Sequence, residues 1–182
     1  MQFGDSEQFL KIAEDAMEFE LKKLSKAAIP AALERAERYR LLNEPALAES
    51  ICQDILAIDP DNREAIILLI LALSDQFTQN IVDNLDHAWS LLPRLGDEYL
   101  HAYYQGILFE RQARVYVRRA APGSHFSAYD LFREAMRLYE RAENLRPHGN
   151  DEALLRWNTC ARAIMGGRLE ERPLDDYRPM LE

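Results

Sequence analysis

Arginine is the residue of this chain whose spacing most invites a chemical reading. Arg111, Arg114 and Arg118 recur at intervals of three and four, and Arg133, Arg137 and Arg141 form a second row at intervals of four. On a helix each row shares one face, and guanidinium forks hold carboxylate or phosphate through paired N–H donors. If two such helices pair antiparallel, the rows meet around His125 and make a site for an anionic ligand or nucleic acid. The plainer alternative is a solvated face laced by the pairs Glu110–Arg114, Glu134–Arg137 and Arg137–Glu140. Glu98 and His101 stand three apart, as two metal ligands on one helix face would, but a carboxylate-bridged metal bundle needs that motif twice. His87, His125 and His148 lack ligand-spaced partners, so no metal and no cofactor is expected. Cys52 and Cys160 fall on apolar helix stripes, where a buried free thiol is the ordinary outcome. Asp175 and Asp176 lie in the tail, with no pocket to tune them. The chain has no Gly-rich phosphate loop, serine nucleophile elbow or Cys-x-x-Cys, and no residue is nominated as catalytic.

Composition narrows the classes further. The 182 residues are 48% hydrophobic and 29% charged, as in a folded domain with a core. The net charge of −9 argues against general nucleic-acid binding. The charge is unevenly spread: residues 101–146 hold 8 basic and 5 acidic groups, against 7 and 13 in residues 1–62. All four lysines lie at or before Lys26, so the basic island is entirely arginine. The longest apolar run, Ala65–Leu73, has nine residues, far from the ~20 that span a bilayer. No membrane association and no secretory leader are expected, and with two cysteines a disulfide framework is not. A cytoplasmic setting is the resulting expectation.

These residues must be positioned by helices. Ala48–Pro60 and Ala135–Pro147 share a pattern of small or apolar residues at relative positions 1, 4, 5, 8 and 11 with Pro at 13, one stripe along a helix closed by a turn. A first amphipathic helix is expected from Asp5 or Ser6 through Leu24, forming an N-terminal cap within residues 1–28. Pro30 suits the first turn of the next helix, ending near Leu42. Asn43-Glu44-Pro45 makes a short turn, Ala46 starts its mate, and Asn62 or Asp61 caps a nearly all-apolar helix over Arg63–Gln76. Gln79-Asn80 starts another, limited by Pro93 and ended at Gly96. A long helix is expected over Glu98–Ala120, broken by Pro122-Gly123-Ser124. Ser127 and Asp130 resemble a capping box for a helix running to Leu145, and Asn150 caps a last helix ended by Gly166-Gly167. Residues 166–182 read as an extended tail. Gly106 inside a helix costs ~1 kcal/mol, which predicts the close approach of a neighbouring helix.

With Ile29 as position 1, a small residue falls at 8 (Ala36), an aromatic at 11 (Tyr39), Ala at 20 (Ala48) and Pro at 32 (Pro60), within a 34-residue unit. Over residues 29–165 the chain resembles the tetratricopeptide-repeat family, although Ala32 and Cys52 replace its aromatics at positions 4 and 24. The resemblance implies an all-α right-handed superhelix of antiparallel helix pairs, about eight helices, with repeats near 29–62, 63–97 and 98–149 and a capping helix. The paired stretches lie 87 residues apart, which predicts a degenerate repeat and an insertion near 112–127. Family members are mostly non-catalytic protein–protein interaction scaffolds whose concave face binds a peptide. Some clamp a terminal carboxylate from positions 5 and 9, which here read Leu33 and Glu37, Ile67 and Leu71, Tyr103 and Ile107. That clamp is missing. Leu33, Ile67, Leu71, Tyr103 and Ile107 instead predict an apolar groove for a hydrophobic peptide or helix of a partner protein; alternatively, the apolar face around Ile67 and Leu71 is a seam between two copies of the chain.

Overall fold

The computed structural model describes residues 19–119 and 121–173. Among them are seven α-helices and no strands: α1 (Ile29–Leu41), α2 (Pro45–Ile58), α3 (Arg63–Asp75), α4 (Ile81–Leu91), α5 (Glu98–Arg119), α6 (Ser124–Leu145) and α7 (Glu152–Gly167). Local chemistry sets most boundaries. Pro sits in the first turn of α1 and of α2, where its missing N–H has no helical partner to lose. The Asn62 side chain accepts from the Ala65 N–H at 3.0 Å, the Asp97 carboxylate accepts from Leu100 N–H at 2.8 Å, and Asn150 Oδ1 accepts from Glu152 N–H at 3.0 Å, each satisfying a first-turn donor. A 3-10 turn over Leu92–Leu95, with Gly96 at φ 63°, closes α4.

Three sequence expectations change. The helix placed over the N-terminal stretch does not extend through residues 19–25, which carry no helix before a 3-10 turn at Lys26–Ala28; Phe19 and Leu21 are exposed. Residues 1–18 and 174–182 lie outside the described residues, with Asp175 and Asp176 among them. Helix α6 starts at Ser124, three residues before the capping box read at Ser127. Gly123, at φ 75°, turns the chain in the left-handed region, so Ser127 is already inside the helix. The residues in excess of the 34-residue repeat are divided: α5 and α6 are both 22 residues long, against 13 and 14 in α1 and α2. The insertion lengthens both arms of one hairpin, rather than mainly α5 and the loop.

Helices in sequence touch in sequence, and α3 also touches α1 and α5. The apolar interior is divided in two. One cluster is built from α1 to α4 with Leu108 and Val115 of α5. The other joins α5, α6 and α7 with Leu169 after the last helix. Helix α5 therefore faces two cores, which is why it is apolar on more than one side. Tyr139 is fully buried, its ring edge lying where a side chain on Gly106 would be: a Cβ there would stand 2.7 Å from Tyr139 Cε1. The α5–α6 pair is as close as the internal glycine predicted.

Candidate functional site

The odd-numbered helices carry a line of charged side chains across their common side. Arg40 near the end of α1 donates from Nε to Asp75 Oδ2 at 2.6 Å, and Arg111 of α5 donates from Nη1 to Asp75 Oδ1 at 2.5 Å. One carboxylate at the last residue of α3 is thereby shared by two guanidinium groups. Arg111 also donates to the Leu71 carbonyl at 2.9 Å and to the Ser74 hydroxyl, placing a cation against the carbonyl end of α3, where the helix dipole favours it. The Arg111 side chain is 18% exposed. Burial pulls its pKa below the usual arginine value while Asp75 opposes that. It stays charged at any ordinary pH, because so strong a base does not titrate there.

Beside it lies Glu110, whose side chain is 2% exposed. A buried carboxylate must be paired and bonded to be tolerated, and this one is. Arg114, one turn on, donates to its Oε1 from Nε at 3.1 Å and Nη2 at 2.9 Å; Arg156 of α7 approaches the same oxygen at 3.6 Å; Tyr139 of α6 donates its hydroxyl to Oε2 at 2.8 Å. Three helices meet on one side chain. Burial, and then the Glu110 charge, push the Tyr139 phenol far above its ordinary pKa, so it stays a donor. Burial works against the Arg156 charge, but Glu110 and the neighbouring tyrosines more than offset it and raise its pKa. Within the second core Tyr99 stacks on Tyr103, their centroids 5.8 Å apart, and Asn150 donates to the Tyr99 hydroxyl at 2.9 Å.

Between α3, α5 and α7 the line opens into a cleft of about 170 Å³, lined by Asp75, Thr78, Arg111, Arg114, Arg118 and Arg156 among others. Its carboxylates are spoken for on both oxygens, and the lining has four guanidinium groups against two carboxylates. Arg118 is exposed at the rim.

The arginines expected to converge do not. Arg111, Arg114 and Arg118 line this cleft. Arg133 and Arg137 line a different, wider one of about 550 Å³ with Asp130, Glu134, Glu140 and Glu171, where carboxylates outnumber them. Arg137 is held by Glu134 through Nε at 3.1 Å and Nη2 at 2.5 Å. Arg141 stands apart with Glu98 and His101 in a third depression, beside Leu92 and Pro93. His125, exposed at the start of α6, lies tilted against Phe126 and lines neither cleft. The interval of three or four placed each row on a face; Arg111, Arg114 and Arg118 face the end of α3 and Arg156, whereas Arg133 and Arg137 face carboxylates of α6 and Glu171, so the two rows stay apart.

The apolar groove is also corrected. Leu33, Tyr103 and Ile107 are buried in the two cores. Ile67 and Leu71 are partly buried, Ile67 against the first core and Leu71 against the second. The neighbouring helices bury Leu33, Tyr103 and Ile107, so these three line no open groove, while Ile67 and Leu71 keep part of their surface. Arg40, Asp75 and Arg156 had no place in the sequence reading. Each pairs with a partner on another helix, which spacing along its own helix does not show.

Among the described residues no group of three or more His, Cys, Asp and Glu side chains is placed to hold a metal ion, and no helix is long and apolar enough to cross a membrane. Cys52 and Cys160 are fully buried free thiols, each pushed up to about 12 chiefly by burial. No protein-family model, no curated protein and no solved structure matches the chain.

Proposed function

We propose that this chain is a non-catalytic interaction module, a tetratricopeptide-like helical array whose odd-numbered helices present one face to an extended peptide segment of a partner protein. The observation that carries this reading is the charged line Arg40–Asp75–Arg111 with Glu110–Arg156, which runs over α1, α3, α5 and α7 and opens into a cleft at α3, α5 and α7. A peptide laid across successive helices is the guest such a surface suits, because it meets several elements at once. The two thiols argue against nucleophilic work, since a reactive cysteine has a lowered pKa and an electropositive, accessible setting, and both of these are buried and raised.

Selection from a displayed library of random peptides against the full chain tests the reading. Enriched peptides are expected to bind at micromolar strength and to crosslink to a photoreactive residue placed at Thr78, on the cleft wall, and not to one at Val82, which is exposed on α4. No enrichment, or crosslinking that ignores the cleft, refutes it.

A further inference from the structure

The cleft between α3, α5 and α7 has a charge balance that its own residues leave open. Asp75 gives one oxygen to Arg40 and one to Arg111. Glu110 gives one oxygen to Arg114 and Arg156 and the other to Tyr139. Arg111, Arg114, Arg118 and Arg156 thus line the cleft against two fully engaged carboxylates, an excess of two positive charges, with Arg40 behind Asp75 as a third. The chain as a whole runs the other way, to a net −9. Like charges gathered in a cleft with low-dielectric walls raise the local potential and concentrate counter-charges there.

The donors are also pre-positioned. Arg111 is fixed by three acceptors on α3. Arg114 is held by Glu110 through Nε and Nη2, and its guanidinium lies 6.0 Å from the Phe132 ring centre. Arg118, one turn further along α5, is exposed at the rim. A volume of about 170 Å³ takes one planar or tetrahedral oxyanion with room for a few waters. The Arg133–Arg137 cleft fails the same count, since four carboxylates surround its two arginines.

We propose that this cleft seats one oxyanion carried on an acidic peptide, a carboxylate or phosphate whose oxygens are taken by Arg114 and Arg118 with Arg156 opposite. The proposal rests on the interaction-module reading and specifies its partner chemistry. A continuous nucleic-acid strand is disfavoured, because the cleft is small and the chain as a whole carries a net −9.

Fluorescence anisotropy with labelled short peptides tests it, using four sequences that differ only in a central Glu, Gln, phosphoserine or serine. The Glu or phosphoserine peptide is expected to bind and the Gln and serine peptides to fail; the tighter of the two acidic forms identifies the oxyanion. Arg118→Ala should weaken binding about tenfold, the worth of one charge-assisted contact, and added salt should weaken it progressively. Arg119→Ala, one residue away, should not. Because Arg118 is exposed, its variant keeps the fold, which circular dichroism checks. Equal binding of the Glu and Gln peptides, or equal effects of Arg118→Ala and Arg119→Ala, overturns the proposal, as does a single-stranded oligonucleotide that outcompetes both acidic peptides. Library peptides that bind in the cleft but ignore charge overturn it while leaving the interaction module standing. Inorganic phosphate that raises the melting temperature of the wild type and not of Arg118→Ala, with no peptide bound, keeps the oxyanion seat and removes the module.

Discussion

Replacing Gly106 by alanine should destabilise the protein, against the ordinary rule for helix interiors. In an open helix the change stabilises by about 1 kcal/mol, because alanine loses less backbone freedom on folding. Here the added methyl would stand 2.7 Å from Tyr139 Cε1, 3.0 Å from Cδ1 and 3.1 Å from Cζ. Ordinary carbon contacts lie near 3.5–4.0 Å, so ring or helix must give way by roughly 1 Å. The ring cannot swing out. It is fully buried, its hydroxyl is tied to Glu110 at 2.8 Å, and Tyr103 lies 6.0 Å from it. Overpacking of this kind costs about 1–3 kcal/mol, and turning the ring off Glu110 would add about 1–3 kcal/mol for the acceptor left unpaired. Set against the propensity gain of about 1 kcal/mol, the net loss is about 1–5 kcal/mol. Urea denaturation followed by far-UV circular dichroism measures it, with Tyr139→Leu as the second arm of a double-mutant cycle. In the leucine background the methyl has room, and Gly106→Ala should become neutral or stabilising. A gain of about 1 kcal/mol in the wild type, or an equal cost in both backgrounds, would refute the contact as the cause.

Asp75→Ala should cost about 1–3 kcal/mol, because it leaves both Arg40 and Arg111 without their shared carboxylate; Arg40→Ala should cost less, since Asp75 keeps Arg111, and the two denaturation midpoints decide the order. Tyr139→Phe should cost about 1 kcal/mol by removing one of the donors to Glu110, and an unchanged midpoint would count against that bond. Alkaline stability follows from the buried thiols: Cys52 and Cys160 have folded pKa values of about 12, raised from 9.0. Their contribution is full below pH 9, and stability should fall as pH rises from there toward 12, by up to about 1.4 kcal/mol per pH unit per thiol; the Cys52→Ala, Cys160→Ala double variant should show a shallower slope in denaturation midpoints across that window. At neutral pH both thiols should resist a disulfide-exchange reagent in the native protein and react once urea unfolds it.

Helices were legible where a single side chain decides an end. Pro30, Pro45, Asn62, Asn80 and Asn150 all mark a terminus because each acts within a turn of itself. Ser127 misled for the same reason in reverse: its spacing to Asp130 is that of a cap, but Gly123 in the left-handed region had already started the helix. Stripes were legible as stripes and not as surfaces. Whether Tyr103 and Ile107 face a groove or a core depends on α6 and α7 lying over them, which spacing along α5 does not encode. The arginines divide likewise. Intervals of three and four put Arg111 and Arg137 on defined faces, but Arg111 is turned into the end of α3 and Arg137 is clasped by Glu134. The charged line was hidden because each of its ion pairs joins two different helices.

The division of the interior bears on how the molecule comes apart. Each half holds its own apolar cluster, and α5 belongs to both: Leu108 and Val115 face the first, Ile107 and Ala113 the second. Opening of α6 and α7 would strip one side of α5 and leave it docked on α3; opening of α1 and α2 would leave α5, α6 and α7 together. The chain thus contains two overlapping cooperative units rather than one, and amide hydrogens in α5 are the ones that exchange only when both are lost. The shared helix is also the one that supplies Glu110, Arg111, Arg114 and Arg118, so the cleft is hung on the segment that survives the loss of either half.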